Sequence, residues 1–127
     1  MNNDCVDPIT EIIRRILLLQ RQDLRNDNIS CDRPFLGPLN ILTYNTRPIQ
    51  LYNKYTASPW EFTYTLNTET QTTNIFRLES LEQDYVTLRL LSLDTTTGDY
   101  TNTNQFVTLD LNTVGAIRCL PDVFITL

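Results

Sequence analysis

Carboxylates fall close together twice in this chain, at Glu79, Glu82 and Asp84 and again at Asp94 and Asp99. Paired carboxylates hydrolyse glycosidic bonds when one sits in an apolar pocket and the other faces it across the bond. The first group lies in Glu79-Ser-Leu-Glu-Gln-Asp-Tyr85, a polar turn between two strand-like stretches, where carboxylates are simply solvated. The same loops offer the oxygen ligands that calcium needs, through Asp84 or Asp99, but neither has the ordered spacing of a calcium-binding loop. The sequence therefore assigns no catalytic residue, no metal ligand and no cofactor site.

Other chemistry is also poorly supplied. There is no histidine, which removes the usual general base, the usual zinc ligand and the side chain that switches charge near neutral pH. Serine and cysteine nucleophiles lack a histidine partner, and Lys54 is the only side-chain amine. Glycine-rich phosphate loops are absent. The net charge of −5, with no basic tract, leaves no footprint for nucleic acid. The reading is not an enzyme. Trp60, Tyr44, Tyr52, Tyr55 and Tyr64 can line a sugar-binding face, although aromatics in strands serve first as core and cross-strand partners. A β-sandwich module that binds carbohydrate or protein is the competing class.

Cys5, Cys31 and Cys119 are odd in number and widely spaced, with no CxxC pair. They are either buried structural thiols or, where the surroundings oxidise, leave at least one free to pair between chains. Nine arginines accompany a single lysine. Lysine guards exposed sheet edges and is depleted from interface cores, where arginine is favoured. A chain of many strands with one lysine is poorly defended against edge pairing.

The elements that must position these residues fall into two parts: a helical connector and linker at 1–30 and a β-sandwich domain at 31–127. Asp7 is a good N-cap, Pro8 suits the first turn and Glu11 complements the helix dipole. The helix is expected to run to about Gln22, with Ile9, Ile12, Ile13, Ile16, Leu17 and Leu19 in a broad apolar stripe. Leu18 falls on the polar side with Glu11, Arg15 and Gln22, where an ordinary surface helix carries no leucine. Ile12, Arg15, Ile16, Leu18 and Leu19 are thus the candidate residues of an interface between subunits. The longest apolar run is Ile16–Leu19, too short for a membrane span, and the start carries no signal-type pattern. A polar linker is expected over Asp23–Ser30 and a turn-punctuated stretch over Cys31–Pro38.

Strands are expected at Leu39–Tyr44, Ile49–Tyr55, Glu61–Leu66, Asn74–Ser80, Tyr85–Leu93, Gln105–Leu111, Val114–Cys119 and Val123–Leu127. Alternation is clear in Phe62, Tyr64 and Leu66, in Val86, Leu88 and Leu90, and in Val107, Leu109 and Leu111. Asp94 to Asn104 reads as a turn-like separator, and Thr95–Thr103 within it as an exposed hairpin loop. At 127 residues this is one domain, mainly β, an antiparallel β-sandwich of jelly-roll type with one N-terminal α-helix.

Four stretches carry a family likeness. They are Cys5 followed by Ile12-Ile-Arg-Arg-Ile-Leu17; Cys31-Asp-Arg-Pro-Phe-Leu-Gly37; Asn74-Ile-Phe-Arg-Leu-Glu-Ser-Leu-Glu-Gln-Asp-Tyr-Val-Thr-Leu-Arg-Leu-Leu91; and Thr108-Leu-Asp-Leu-Asn-Thr-Val-Gly-Ala-Ile-Arg-Cys-Leu-Pro-Asp122. In this order and spacing the chain resembles the spore coat protein Z / exosporium protein Y family (CotY, CotZ and ExsY) of endospore-forming Firmicutes. The resemblance implies a structural protein of the spore surface, in coat or exosporium, made in the mother-cell cytoplasm. It implies assembly with itself and with other spore coat proteins into lattices reinforced by inter-subunit disulfides, for which Cys5, Cys31 and Cys119 stand at cysteine positions. That family's last strand reads Asp-Leu-x-Cys-x-Cys-Ala-Ile-x-Cys-Leu. Here Thr113 and Gly115 occupy the first two of those cysteine positions, so dense cross-linking does not carry over. A pilus-like spore appendage subunit is the related alternative. Nucleic acid, membrane and cofactor have no part in this expectation.

Overall fold

The computed structural model describes residues 8–25, the last five by backbone alone, and 44–127. Cys5, Cys31, the Asp7 cap, the linker from 26 on, the Cys31–Pro38 stretch and the strand expected at Leu39–Tyr44, except its last residue, lie outside the described residues. The helix α1 spans Pro8–Arg25, three residues beyond its expected end. Seven strands follow: β1 (Ile49–Asn53), β2 (Phe62–Leu66), β3 (Glu69–Thr73), β4 (Phe76–Glu82), β5 (Tyr85–Leu93), β6 (Tyr100–Asp110) and β7 (Val114–Cys119). They form a five-stranded sheet in the order β6-β5-β4-β1-β7 and a two-stranded sheet, β2-β3. All pairings are antiparallel.

The inner face of the large sheet follows from period-2 alternation. Phe76, Leu78, Val86, Leu88, Leu90, Ile49, Leu51 and Leu109 are buried on it, and Trp60, Phe62 and Tyr64 from the β2 side meet them. Phe62 stacks on Trp60 at 6.0 Å and meets Phe76 edge-on at 5.8 Å. The small hairpin turns at Asn67-Thr68, both at positive φ, the backbone a two-residue hairpin requires when it follows strand twist. Its second strand, Glu69-Thr-Gln-Thr-Thr73, has no apolar residue and was not expected. β6 begins at Tyr100 rather than Gln105, so the polar stretch after Asp94 is half turn and half strand. The turn closes at Gly98, with φ +79, and its amide donates to the Asp94 carbonyl. Val123–Leu127 makes a single bridge, Val123 to Thr46, rather than a strand.

Helix α1 lies on this same inner face. Ile13 and Ile16 enter the core beside the sheet residues; burying each contributes about 1.5–3 kcal/mol. Gln20 follows on the same helical face. Its Nε2 donates to the Leu78 carbonyl at 2.9 Å, and its Oε1 accepts the Arg47 amide at 3.1 Å. Leu78 stands where the β4–β5 register shifts, so the side chain satisfies a carbonyl at an irregularity. The helix is thereby fastened to its own sheet by Ile13 and Ile16, with Ile9 and Leu17 packed beside them, and by the Gln20 amide.

Candidate functional site

Docking one helix face leaves the others open. Ile16, grouped by sequence with the interface candidates, is only 2% exposed and faces its own sheet. Ile12 at 36%, Leu18 at 53% and Leu19 at 44% remain open, and Arg15 is exposed among them. Ile12 and Leu19 are seven residues apart, hence on one flank, while Leu18 points away from the core. Near that flank a cavity of about 120 Å³ is lined by Leu19, Gln20, Tyr44, Thr46, Arg47 and Asp122.

The outer face of the sheet holds a charge network. Arg77, with its side chain 7% exposed, donates from Nη1 to Glu79 Oε2 at 2.6 Å, from Nε to Thr46 Oγ1 at 2.9 Å and from Nη2 to the Asn45 carbonyl at 2.9 Å. Arg89 donates from Nε to the same Glu79 oxygen at 2.8 Å and from Nη1 to Asn102 and Asn104 at 3.0 and 3.1 Å. Its guanidinium lies 4.6 Å from the Phe106 ring centre, a cation–π contact. Asn45 then brackets Ile125, donating to its carbonyl and accepting its amide at 2.8 and 2.9 Å. The network thus carries β4 and β5 out to the segment before β1 and to the C-terminal segment, where Ile75, Leu91 and Ile125 form a second small core. Arg47 and Asp122 make a two-bond ion pair, 2.6 and 2.9 Å, at the same end. It holds the Asp122 carboxyl below the usual carboxylate range and keeps Arg47 more firmly protonated.

The carboxylates singled out by sequence do not converge. Glu79 is engaged by two arginines. Asp94 builds its own turn, accepting the Thr96 amide at 2.9 Å, and the Asp84 carbonyl accepts the Leu111 amide. Among the described residues no three Cys, Asp or Glu side chains are close enough to hold a metal ion. The aromatic candidates scatter too. Tyr64 is buried, its hydroxyl bonded to Gln71 and Ser92. Trp60 packs on the core with Nε1 unpaired. Tyr55 stands exposed in a turn beside Lys54, and Tyr44 is exposed near the helix.

Cys119 is an exposed free thiol on β7, and burial of part of its surroundings pushes its pKa up, against the pull of Arg47. Gly115 on the same strand sits at a register shift, and a Cβ there would come within 2.9 Å of the Lys54 backbone. A cysteine at that position requires a different path for the end of β1. Sequence reasoning missed Gln20, Arg77, Arg89 and Asn45. Arg77 and Arg89 gave a faint signal, as charges alternating with leucine inside strands.

A family model described as Spore coat protein Z matches residues 1–101. Neither the curated proteins nor the solved structures offer a match to this chain.

Proposed function

Since the chain belongs to the spore coat protein Z family, with a structural role at the spore coat surface, we propose that it fills this role by assembling with copies of itself and with other coat proteins. One observation carries the reading. Ile12, Leu18 and Leu19 stay exposed on a helix that is already fastened to its own sheet. Covering each in a neighbour contributes up to about 1.5–3 kcal/mol per fully buried side chain, and symmetry repeats the gain at every contact. The β-sandwich is the body, and the helix surface with Arg15 is the connector.

Disulfides between copies act as locks on contacts formed by burial, through Cys5, Cys31 and Cys119. The test of the connector is Leu18→Glu combined with Ile12→Glu. Both positions are open in the folded chain, so the expected result is a folded protein that scatters light as a smaller species; unchanged assembly size removes the helix from the interface. The test of the locks is a non-reducing gel of oxidised assemblies. Ladders that collapse on reduction are expected, and a monomer band alone sinks the cross-linking.

A further inference from the structure

The two edges of the large sheet are finished differently. At β6 the strand bulges, with Asn104 at φ +61. The Gln105 side chain reaches β2 there, its Oε1 accepting the Thr65 amide at 3.3 Å and its Nε2 donating to the Thr65 carbonyl at 2.6 Å. The side-chain amide thus pairs with the β2 backbone and ties β2 against β6 at the bulge, which obstructs that edge. β7 has no such device. Leu120 donates to the Pro48 carbonyl while Cys119 stands opposite Ile49. By the two-residue alternation of an antiparallel ladder, Ala116 and Arg118 exchange bonds with β1, and the backbone groups of Ile117 and Cys119 face outward. They have no partner among the described residues. β7 carries no lysine and no proline, and its one charge, Arg118, points to the outer sheet face rather than along the edge.

We propose that β7 is where two copies of this chain join, edge to edge and antiparallel, with Ile117 on the two-fold axis and the two sheets running on as one of ten strands. The occupant is a second copy because the strand complements itself in charge and bulk. With Ile117 opposite Ile117 of the second copy, Arg118 falls opposite Ala116 and Cys119 opposite Gly115, so each larger side chain meets a small one. Moving the axis by one residue sets two Arg118 side chains face to face, and like charges directly opposite are unfavourable. Moving it to Cys119 brings Pro121, which has no N–H, against Ile117. In the chosen register the two Cys119 Cα atoms stand about 13 Å apart along the strands, beyond the roughly 7 Å that a disulfide spans. This inference rests on self-assembly, but not on the helix.

The full-length protein tests it. Hydrogen exchange at the Ile117 and Cys119 amides is expected to slow as protein concentration rises. Ala116 and Arg118 are exposed, so charge changes there leave the fold intact. Ala116→Arg sets two like-charge pairs across the joint and weakens association about two- to thirty-fold; adding Arg118→Glu turns both into opposite pairs and restores it. Oxidised Cys5→Ser/Cys31→Ser protein gives no Cys119–Cys119 dimer. Association with unprotected amides, indifference to the Ala116 change, or a strong Cys119 dimer overturns the β7 joint while self-assembly stands. A chain that stays monomeric at every concentration overturns both.

Discussion

The two faces of the five-stranded sheet exclude water by opposite means. On the inner face, Phe76, Leu78, Val86 and Leu88 meet α1 and β2 mainly through hydrocarbon, with the Gln20 bond to the Leu78 carbonyl as a polar exception. On the outer face, two guanidiniums share one carboxylate oxygen, and their remaining bonds go to Thr46, the Asn45 carbonyl, Asn102 and Asn104. Apolar burial is non-directional and sets how strongly the layers adhere. A buried ion network adds little net stability over a well-packed apolar one, yet it is severe toward loss of a single member. The inner face therefore holds the sandwich together, and the outer face fixes where the segments at 44–46 and 123–127 run.

That contrast can be broken at three points, from the largest effect down. Phe76→Ala leaves a cavity at the centre of the inner face and is expected to cost about 3–5 kcal/mol in urea or thermal unfolding. Arg77→Ala should cost about 3 kcal/mol, because Glu79, Thr46 and Asn45 lose a buried partner. Its signature is different: fast hydrogen exchange at Val123 and Ile125, with β5 still protected. If both segments stay protected, the network is not what positions them. The smallest effect is Asp122→Asn, about 0.5 kcal/mol, as the Arg47–Asp122 pair is a third exposed. The folded pKa of Asp122 is depressed, so its contribution is full above the ordinary carboxylate pKa and is lost as pH falls from there through the lower folded pKa. The variant should lose that acid limb, and equal pH dependence in both proteins would refute the assignment.

Much of the inner face was legible in the sequence. β5 has the bounds that its alternation predicts, since one apolar residue in two must face one core, and β7 also has its expected bounds. β3 was illegible because Glu-Thr-Gln-Thr-Thr carries no burial pattern; it is a strand because Asn67-Thr68 turns it back onto β2. The outer network joins residues up to 80 positions apart, Asn45 and Ile125, and nothing local in a chain announces such partners. For the candidate interface, helical spacing singled out Leu18, which is indeed exposed, but placed Ile16 with it. Which side of a broad apolar stripe docks depends on the sheet below, and Gln20 takes part because Leu78 offers it a carbonyl.

The sequence by itself determined that the chain has no histidine and no glycine-rich phosphate loop, and that its net charge is −5. Period-2 alternation marked the strands and 3.6-residue spacing marked the one amphipathic helix, because both periods are local consequences of backbone geometry. Tertiary structure alone decided which helical face is spent on the chain's own core and which stays open. It also decided that Gln105 ties β2 against the β6 edge, while the outward backbone groups of Ile117 and Cys119 have no partner among the described residues. Those outcomes depend on which distant segments meet, and a side chain's neighbours across a fold are not written in its neighbours along the chain.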